Sequence, residues 1–586
     1  MHEKLSRHKN VVRVIPDVDA VTGEYDYTVP ESWFEDNRAH EIQVGSIVRF
    51  RFRNRLIRGW VSEINPLDQS DRELLSLTKL SGVGPPTEVM DLARWAAHQW
   101  QGPLPRFLRI ASPKTMMRLT LPRVGSVQKE LSLQNAGDNN GNFKSTVVRI
   151  PPIGDRWPHI QEVVKSGNAL ILVPSIYQAT LLVGRLKRMG ISAGLHGKDW
   201  LIGAHGGTIV GTRSAAFAPV QDLASIIMID EHDRVYENEA TPTWHARDIV
   251  HERAKRLGIP VLFTSPIPTP EVRELSNLQI VGRNEQKRGW GNITVIDPRE
   301  DGTSYGGIWP RNTLEAIKSS NRAVIVLNRK GRSKMLACAS CDELVTCAIC
   351  GSGMTQPQKG KLVCSKSNHE RPVTCTHCLS TRLKNLRIGI SRAVEELETL
   401  LHEKVHEIEA GTKETDFESN RVFLGTNAVL HRIDWADLVV FADFDQDLFS
   451  TSYRSEERAL DSIVRAVRIT NIPGGTTGKI YLQTRSTGNS LIETIQTANI
   501  DEWAESESAR RKLLDLPPYG SFAAISGSGA EQYVRNIQNS NKLEVLGPQA
   551  GTWMVKCKDH EILLRSLEKT PKPKARLRIA VNPSDP

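Results

Sequence analysis

Seven of the eight cysteines fall in one window, spaced Cys338-x2-Cys341-x5-Cys347-x2-Cys350-x13-Cys364-x10-Cys375-x2-Cys378. Each CxxC pair puts two thiolates on one tight turn, where they can share a tetrahedral ion at about 2.3 Å; two pairs close a structural site. Three pairs plus Cys364 imply two zinc ions and one missing ligand. Ser367 stands where a fourth pair would carry its second cysteine, and a hydroxyl is a poor zinc ligand. His369 can supply an imidazole nitrogen instead; its other reading is a solvated loop histidine. The expectation is zinc 1 on Cys338, Cys341, Cys375 and Cys378, and zinc 2 on Cys347, Cys350, Cys364 and His369. Redox-active CxxC pairs are the rival chemistry. A closed all-cysteine site has no open position for activating water, so this cluster by itself is structural. His377 is expected to point outward, and the distant Cys557 to be a buried thiol.

A second constellation is Arg49-Phe-Arg-Phe-Arg-Asn-Arg55. Alternation of period two would place Arg49, Arg51, Arg53 and Arg55 on one strand face, with Phe50 and Phe52 behind. Four like charges on one face want an anion such as a nucleic-acid backbone; a solvated edge strand guarding against aggregation is the alternative. Formal net charge is +9 over 586 residues, a mild bias toward a polyanionic partner. At roughly 150 residues per domain the length implies about three to five domains. No apolar run approaches the ~18 residues of a membrane span. The first residues, Met1-His-Glu-Lys-Leu-Ser-Arg, carry no apolar stretch of a signal peptide, so the expected location is cytoplasmic.

The elements that must position these groups follow from periodicity. Short alternating runs over 10–65 predict a small β-rich domain, and 86–101 a helix with Met90, Leu92, Trp95, Ala96 and Trp100 on its apolar side. Ala136-Gly-Asp-Asn-Asn-Gly-Asn is a linker. Two series of short continuous apolar runs follow, as buried parallel strands require. One is Ala169–Val173, Thr208–Gly211, Ser225–Asp230 and Pro260–Thr264. The other is Ala323–Leu327, Arg421–Leu424, Leu438–Ala442 and Lys479–Gln483. The cysteine window interrupts the second series after its first strand. Glu531–Pro586 is expected to form a last small α+β domain with a basic stretch at Lys569, Lys572, Lys574, Arg576 and Arg578.

An ordered set of motifs then resembles the PriA family of replication-restart helicases (primosomal protein N′). It comprises Leu170-Ile-Leu-Val-Pro-Ser-Ile-Tyr-Gln, His196-Gly-Lys-Asp-Trp, Ile209-Val-Gly-Thr-Arg-Ser, Ile229-Asp-Glu-His-Asp, Leu327-Asn-Arg-Lys-Gly-Arg, Ser455-Glu-Glu-Arg-Ala-Leu and Leu516-Pro-Pro-Tyr-Gly. The resemblance runs from about residue 11 to the end. It implies an α/β fold of two RecA-like helicase lobes with a zinc-binding insertion, a β-rich N-terminal DNA-binding domain and an α+β C-terminal domain. The implied division is 1–112 (3′-DNA-end binding), 113–145 (linker, with the family's winged helix reduced or absent), 146–290 (lobe 1), 291–337 and 381–500 (lobe 2), 338–380 (zinc insertion) and 501–586 (C-terminal DNA-binding domain). Tyr25-Asp-Tyr-Thr-Val-Pro is similar to the 3′-end-capturing segment, which implies that Asp26 lines a terminal-nucleotide pocket.

The motor motifs depart from the family. The phosphate loop GxxxxGK[ST] brings backbone N–H groups, a lysine and a metal-binding hydroxyl to a triphosphate. Here it reads Arg149-Ile-Pro-Pro-Ile-Gly-Asp-Arg-Trp: Gly154 survives, Asp155 falls in the lysine slot and Arg156 in the hydroxyl slot. The acid box is one residue short, leaving Asp230 and Glu231 as its candidates. The finger segment reads Ile463-Val-Arg-Ala-Val-Arg, retaining Arg465 and Arg468 while both glycines are valines. The coupling loop, Gly-Ser-Ala-Thr-Pro in the family, reads Thr264-Ser-Pro-Ile-Pro; four altered motifs with the strands intact imply a motor that has lost ATP hydrolysis. The expected function is therefore recognition of stalled or branched replication forks and reloading of the replicative helicase without helicase activity. Implied partners are other primosome proteins, the replicative helicase or its loader, and single-stranded DNA-binding protein. The alternative is an active ATP- and Mg²⁺-dependent 3′→5′ helicase in which Arg149 or Arg156 replaces the lysine.

Overall fold

The computed structural model describes residues 10–68, 73–117, 143–300, 308–328, 336–349, 351–358, 360–364, 369–385, 390–408, 420–450, 452–471, 477–537 and 542–585. The chain begins with a five-stranded antiparallel sheet, ordered Tyr25–Thr28, Val11–Pro16, Arg55–Ile64, Ile47–Phe52, Lys79–Gly82. Its apolar face, with Val12, Val14, Tyr27, Val48, Phe50 and Val61, is a core of its own.

The four arginines do not share one strand face. The strand ends at Phe52, and Arg53 and Asn54 take positive φ values of 46° and 64°. That is the geometry of a two-residue hairpin turn, which wants φ > 0 at both central positions and favours asparagine. Arg55 then opens the next strand directly opposite Phe52. The basic row that does form runs across strands. Arg49 lies opposite Arg58 on one side and Lys79 on the other, with Arg51 two residues along.

Thr87–Gln99 and Leu104–Ala111 are helices that bury Val89, Leu92, Ala96, Phe107 and Leu108 against the next domain. Residues 118–142, including the expected Gly/Asn linker, lie outside the described residues. Lobe 1 is a seven-stranded all-parallel sheet, ordered Asn277–Ile280, Ser145–Arg149, Val261–Ser265, Leu223–Met228, Asn168–Leu172, Thr208–Gly211, Ala193–Leu195. Lobe 2 is a six-stranded parallel sheet, ordered Asn292–Ile296, Lys479–Gln483, Leu438–Phe441, Ala323–Val326, Val422–Gly425, Val405–Ile408. The chain therefore has the α/β, two-lobed helicase-like architecture. The sequence pattern missed five of these strands. Four are edge strands, where one face carries fewer apolar residues, and the fifth, Ser145–Arg149, lies next to an edge.

Between the lobe 2 strands a small module folds on the strands Leu336–Cys338, Met354–Gln358, Lys361–Cys364, Glu370–Pro372 and Leu383–Asn385. The C-terminal unit is an antiparallel sheet ordered Glu544–Gln549, Thr552–Cys557, Ser521–Ser526, Arg578–Val581, with the helices Ala530–Ile537 and His560–Lys569. Its first strand begins ten residues before Glu531, where the sequence had placed the start. One continuous core joins the front domain, lobe 1 and this unit: Trp60, Phe107, Phe217, Trp244 and Tyr533 all belong to it. The ring pairs Phe107–Phe217 (5.8 Å) and Phe217–Trp244 (5.6 Å) cement the joint. Among the described residues no helix is long and apolar enough to cross a membrane.

The left-handed turn supplies a test of the hairpin. Asn54→Val should cost about 1–2 kcal/mol in denaturant unfolding, and Asn54→Gly should leave stability unchanged. Equal effects of the two substitutions would refute the turn assignment.

Candidate functional site

The folding of the cysteine module is written in its backbone. Three cysteines head turns of one pattern: the amide of residue i donates to the carbonyl of i+5, and the amide of i+4 returns to the carbonyl of i. This holds for Cys338 (2.9 and 3.1 Å), Cys347 (2.8 and 2.9 Å) and Cys375 (2.8 and 3.1 Å). The i+4 residues Asp342, Gly351 and Leu379 accordingly have positive φ. In the first and third turns the amides of Ser340 and His377 also donate to the sulfurs of Cys338 and Cys375, both at 3.4 Å. The two turns face each other, so that the sulfurs of Cys338, Cys341, Cys375 and Cys378 all lie within 4.8 Å of one another. That donor set suits a soft, tetrahedral ion such as zinc.

The Cys364 amide donates to the His369 carbonyl at 2.8 Å. The His369 Nδ1 lies 3.7 Å from the Cys347 sulfur. Cys350 and Ser367 lie outside the described residues. His377 is exposed, and Cys557 is a buried thiol. The module is tied to lobe 2 by Arg299, which pairs with Glu343 at 2.6 Å and Asp297 at 2.7 Å. Phe449 packs on its Ala337 and Leu344.

The loop expected to be a degenerate phosphate loop is surrounded by the chain's own charges. The Ser145–Arg149 strand leads into Ile150-Pro-Pro-Ile-Gly-Asp-Arg, and the helix Trp157–Lys165 begins immediately after. Asp155 is exposed and accepts the Trp157 amide at 2.9 Å, just before the helix. Arg156 turns inward. Its guanidinium donates to the carbonyls of Pro152 and Gly154 and pairs with Asp230 at 3.1 Å. Arg149 is buried and paired with Asp501 at 2.6 Å. Each arginine offered as a lysine substitute is thus already engaged.

From lobe 2 the helix Ser455–Ile469 carries both finger arginines to the same place. Arg468 reaches Asp230 at 2.8 Å and the Pro152 carbonyl at 3.2 Å, and Arg465 reaches Asp233 at 2.5 Å. Burial alone would raise the Asp230 carboxyl, yet Arg156 and Arg468 hold it well below the usual carboxylate range. Burial takes His232 down to about 3, so it stays neutral between Ser265 (2.9 Å) and Asp461 (3.5 Å). Glu231 points the other way. It accepts from the Thr269 amide and hydroxyl at 2.8 and 3.0 Å, 3.6 Å from Arg247. Burial pushes this carboxyl up to about 7, outweighing Arg247 and Thr269.

Sequence reasoning missed most of this network. Asp233, Asp461, Asp501 and the buried set of Glu271, Arg454, Glu457, Glu507 and Arg511 include pairs far apart in sequence, 240 residues for Glu271 with Arg511 and more for Asp501 with Arg149. No local spacing encodes such partners.

On the front domain, Asp26 lines a cleft of about 750 Å³ with Arg13, Glu24, Tyr25, Glu63, Glu73 and Arg94. Arg13 grips its carboxylate through Nε at 2.9 Å and Nη2 at 3.3 Å. Glu24 is held by Ser62 at 2.5 Å and by Arg94. Arg49 and Arg51 are exposed on the cross-strand basic row. In the C-terminal stretch Lys569, Lys572, Lys574 and Arg576 are exposed, whereas Arg578 turns onto lobe 1, donating to Thr241 Oγ1 at 2.8 Å and the Glu239 carbonyl at 3.2 Å.

Two outcomes follow. Cys341→Ser should lower the metal content by one ion per chain after dialysis, and an unchanged ratio would refute the four-sulfur centre. Glu231 has a folded-state pKa above its ordinary 4.5, so its contribution to stability is full below about 4.5 and is lost as pH rises through about 7. Glu231→Gln stays neutral throughout, and should gain on the parent protein over that interval in unfolding measurements. A parallel pH dependence of the two proteins would refute the shift.

Residues 13–113 match the 3′DNA-binding domain (3′BD) family of PriA. The chain is 26% identical to the replication restart protein PriA of Bacillus subtilis (strain 168) over 420 residues, covering 64% of this chain and 51% of that protein. It is 28% identical to the PriA of Haemophilus influenzae over 410 residues, covering 63% and 55%. With the PriA of Rickettsia conorii the match is 23% over 598 residues and covers 89% of both. The chain thus spans about half the length of the first two relatives. Among solved structures, S. cerevisiae Dbp5 bound to RNA and ADP BeF3 overlaps 64% of this chain and 89% of its own at 13% identity, with a TM-score of 0.34. Residues 13–113 are thus similar to a PriA 3′DNA-binding domain, and the chain as a whole is similar to the PriA replication restart proteins over most of its length.

Proposed function

We propose that this protein binds DNA at stalled or branched forks and promotes reloading of the replicative helicase, with its two lobes serving as a scaffold that does not hydrolyse ATP. The reading rests on the Arg156–Asp230–Arg468 bridge. A triphosphate with Mg²⁺ needs backbone N–H donors, a free cation and a carboxylate for the metal. Here the cations are paired, the metal-ligand carboxylate is neutralised by two arginines, and Pro151 and Pro152 offer no N–H.

The DNA-facing surfaces in this reading are the 3′-end cleft and the basic row Arg49, Arg51, Arg58 and Lys79. The zinc insertion joins them, with twelve Lys/Arg against three Asp/Glu between Asn321 and Arg387, as does the C-terminal lysine stretch. Such patches bind phosphates without reading sequence, so affinity falls steeply with salt. The cleft around Asp26 is rich in acceptors, with Glu24, Glu63 and Glu73 beside it. It favours a terminal hydroxyl that can donate and repels a terminal phosphate. The module holds two zinc ions in this reading. The second is bound by Cys347, Cys350, Cys364 and His369, supported by the recurring turn and the 3.7 Å approach of His369 to Cys347. It offers a surface to the other primosome proteins, and action at the nucleoid follows from the substrate. The domain division that fits this role is the sevenfold one laid out from the sequence.

The test is fork binding and ATP hydrolysis by the full chain. A fork with a free 3′-hydroxyl should bind more tightly than one ending in a 3′-phosphate, Asp26→Ala should erase the difference, and hydrolysis should stay at background with saturating fork. Fork-stimulated turnover abolished by Glu231→Gln would overturn the scaffold reading. Equal binding of both forks by the parent protein would overturn the pocket assignment.

A further inference from the structure

We infer that the two lobes are held closed by ion pairs of the chain itself, so that their spacing is set without nucleotide and does not respond to it. In a working two-lobed motor the arginines of the second lobe find their negative partner only when a phosphate is bound, and closure reports nucleotide. Here the partners are built in. Arg468 bridges from lobe 2 to Asp230, and Arg465 to Asp233, while His232 of lobe 1 sits 3.5 Å from Asp461 of lobe 2. The side chains of Asp230 and Asp233 are only 5% and 3% exposed, so water barely screens either pair.

Two further contacts cross the same seam. Behind the cleft, Glu271 of lobe 1 is gripped by Arg454 from lobe 2 and by Arg511 from the Ile500–Leu513 helix; Arg511 in turn holds Glu457 and Glu507. At the phosphate loop, Arg149 and Arg273 of lobe 1 both meet Asp501 of that helix, at 2.6 and 3.5 Å. Apolar packing agrees with the charges: Ile267, in the loop after the last buried lobe 1 strand, lies in the lobe 2 core with Trp290 and Trp503. The seam therefore joins the lobes at three separate places.

This inference rests on the scaffold reading but is tested apart from it, by lobe spacing and not by turnover. Small-angle scattering and amide hydrogen exchange on the full chain are the measurements, with Arg465→Gln, Asp233→Asn and the two combined. The parent protein should keep its radius and its exchange pattern when Mg²⁺ and a non-hydrolysable ATP analogue are added. Each single variant should raise exchange in the 150–156 loop and in the Ser455–Ile469 helix by about tenfold. The combined variant should show no more than the larger single effect, because both remove one pair. Arg465→Lys, which keeps the charge, should stay close to the parent protein. A parent protein that contracts on adding the analogue overturns the inference. So do variants with unchanged exchange, additive single effects, or protection lost equally in the central strands of both sheets.

Discussion

Asp230 is the point on which the arrangement of the lobes depends. It follows the Leu223–Met228 strand in a left-handed conformation (φ 54°) that aims its carboxylate at the cleft. Arg156 approaches it from the degenerate phosphate loop and Arg468 from the other lobe. A buried carboxylate without these partners would be costly; with both it is a charged hinge pin between two sheets. The remaining cleft residues sort themselves around that choice. Arg465 takes Asp233, His232 stays neutral, and Glu231 withdraws to Thr269 and Arg247.

Such a bridge is weak evidence for stability, since a well-packed apolar cluster of equal volume is often as stable. What it supplies is position. The front domain, lobe 1 and the C-terminal unit already share one core through Phe107, Phe217, Trp244 and Tyr533. The cysteine module is anchored to lobe 2 by Arg299 and Phe449. Once the seam fixes lobe 2 against lobe 1, the cleft around Asp26, the basic row of the front sheet and the metal centre all stand at set distances from one another. The proposed recognition of branched DNA by shape would rest on that rigidity, because it reads geometry and not base edges.

How much of this was legible depended on the range of the determinant. The cysteine turns were readable because a CxxC spacing is a local instruction, and the four sulfurs of the first centre came together as the spacing implied. The buried parallel strands were readable because both faces are apolar, as in Asn168–Leu172 and Leu438–Phe441. Edge strands such as Asn277–Ile280, mostly exposed, gave no comparable run. The arginine face failed for a local reason too: Arg53-Asn54 is a turn, and a period-two count carried straight through it. The role of Arg156 was half legible. Its place in a damaged loop could be read, but its partner Asp230 lies 74 residues away, and Arg468, which shares that carboxylate, comes from the other lobe.

The pattern of loss in the motor motifs also has a physical order. Replacing a loop lysine with Asp155 removes attraction to phosphate, but Asp155 is exposed and only accepts the Trp157 amide. In the proposed scaffold reading the decisive position is the next one, where Arg156 stands in the hydroxyl slot and reaches Asp230. In that reading, its guanidinium and Arg468 take the Asp230 carboxylate that a metal ion would need. Glycines in the finger segment, useful for close approach to a bound phosphate, then had no task. Val464 and Val467 instead bury fully in the lobe 2 core, stiffening the helix that presents Arg465 and Arg468. In this sense the altered motifs are one coupled substitution, with an internal ion pair taking the place of the ligand.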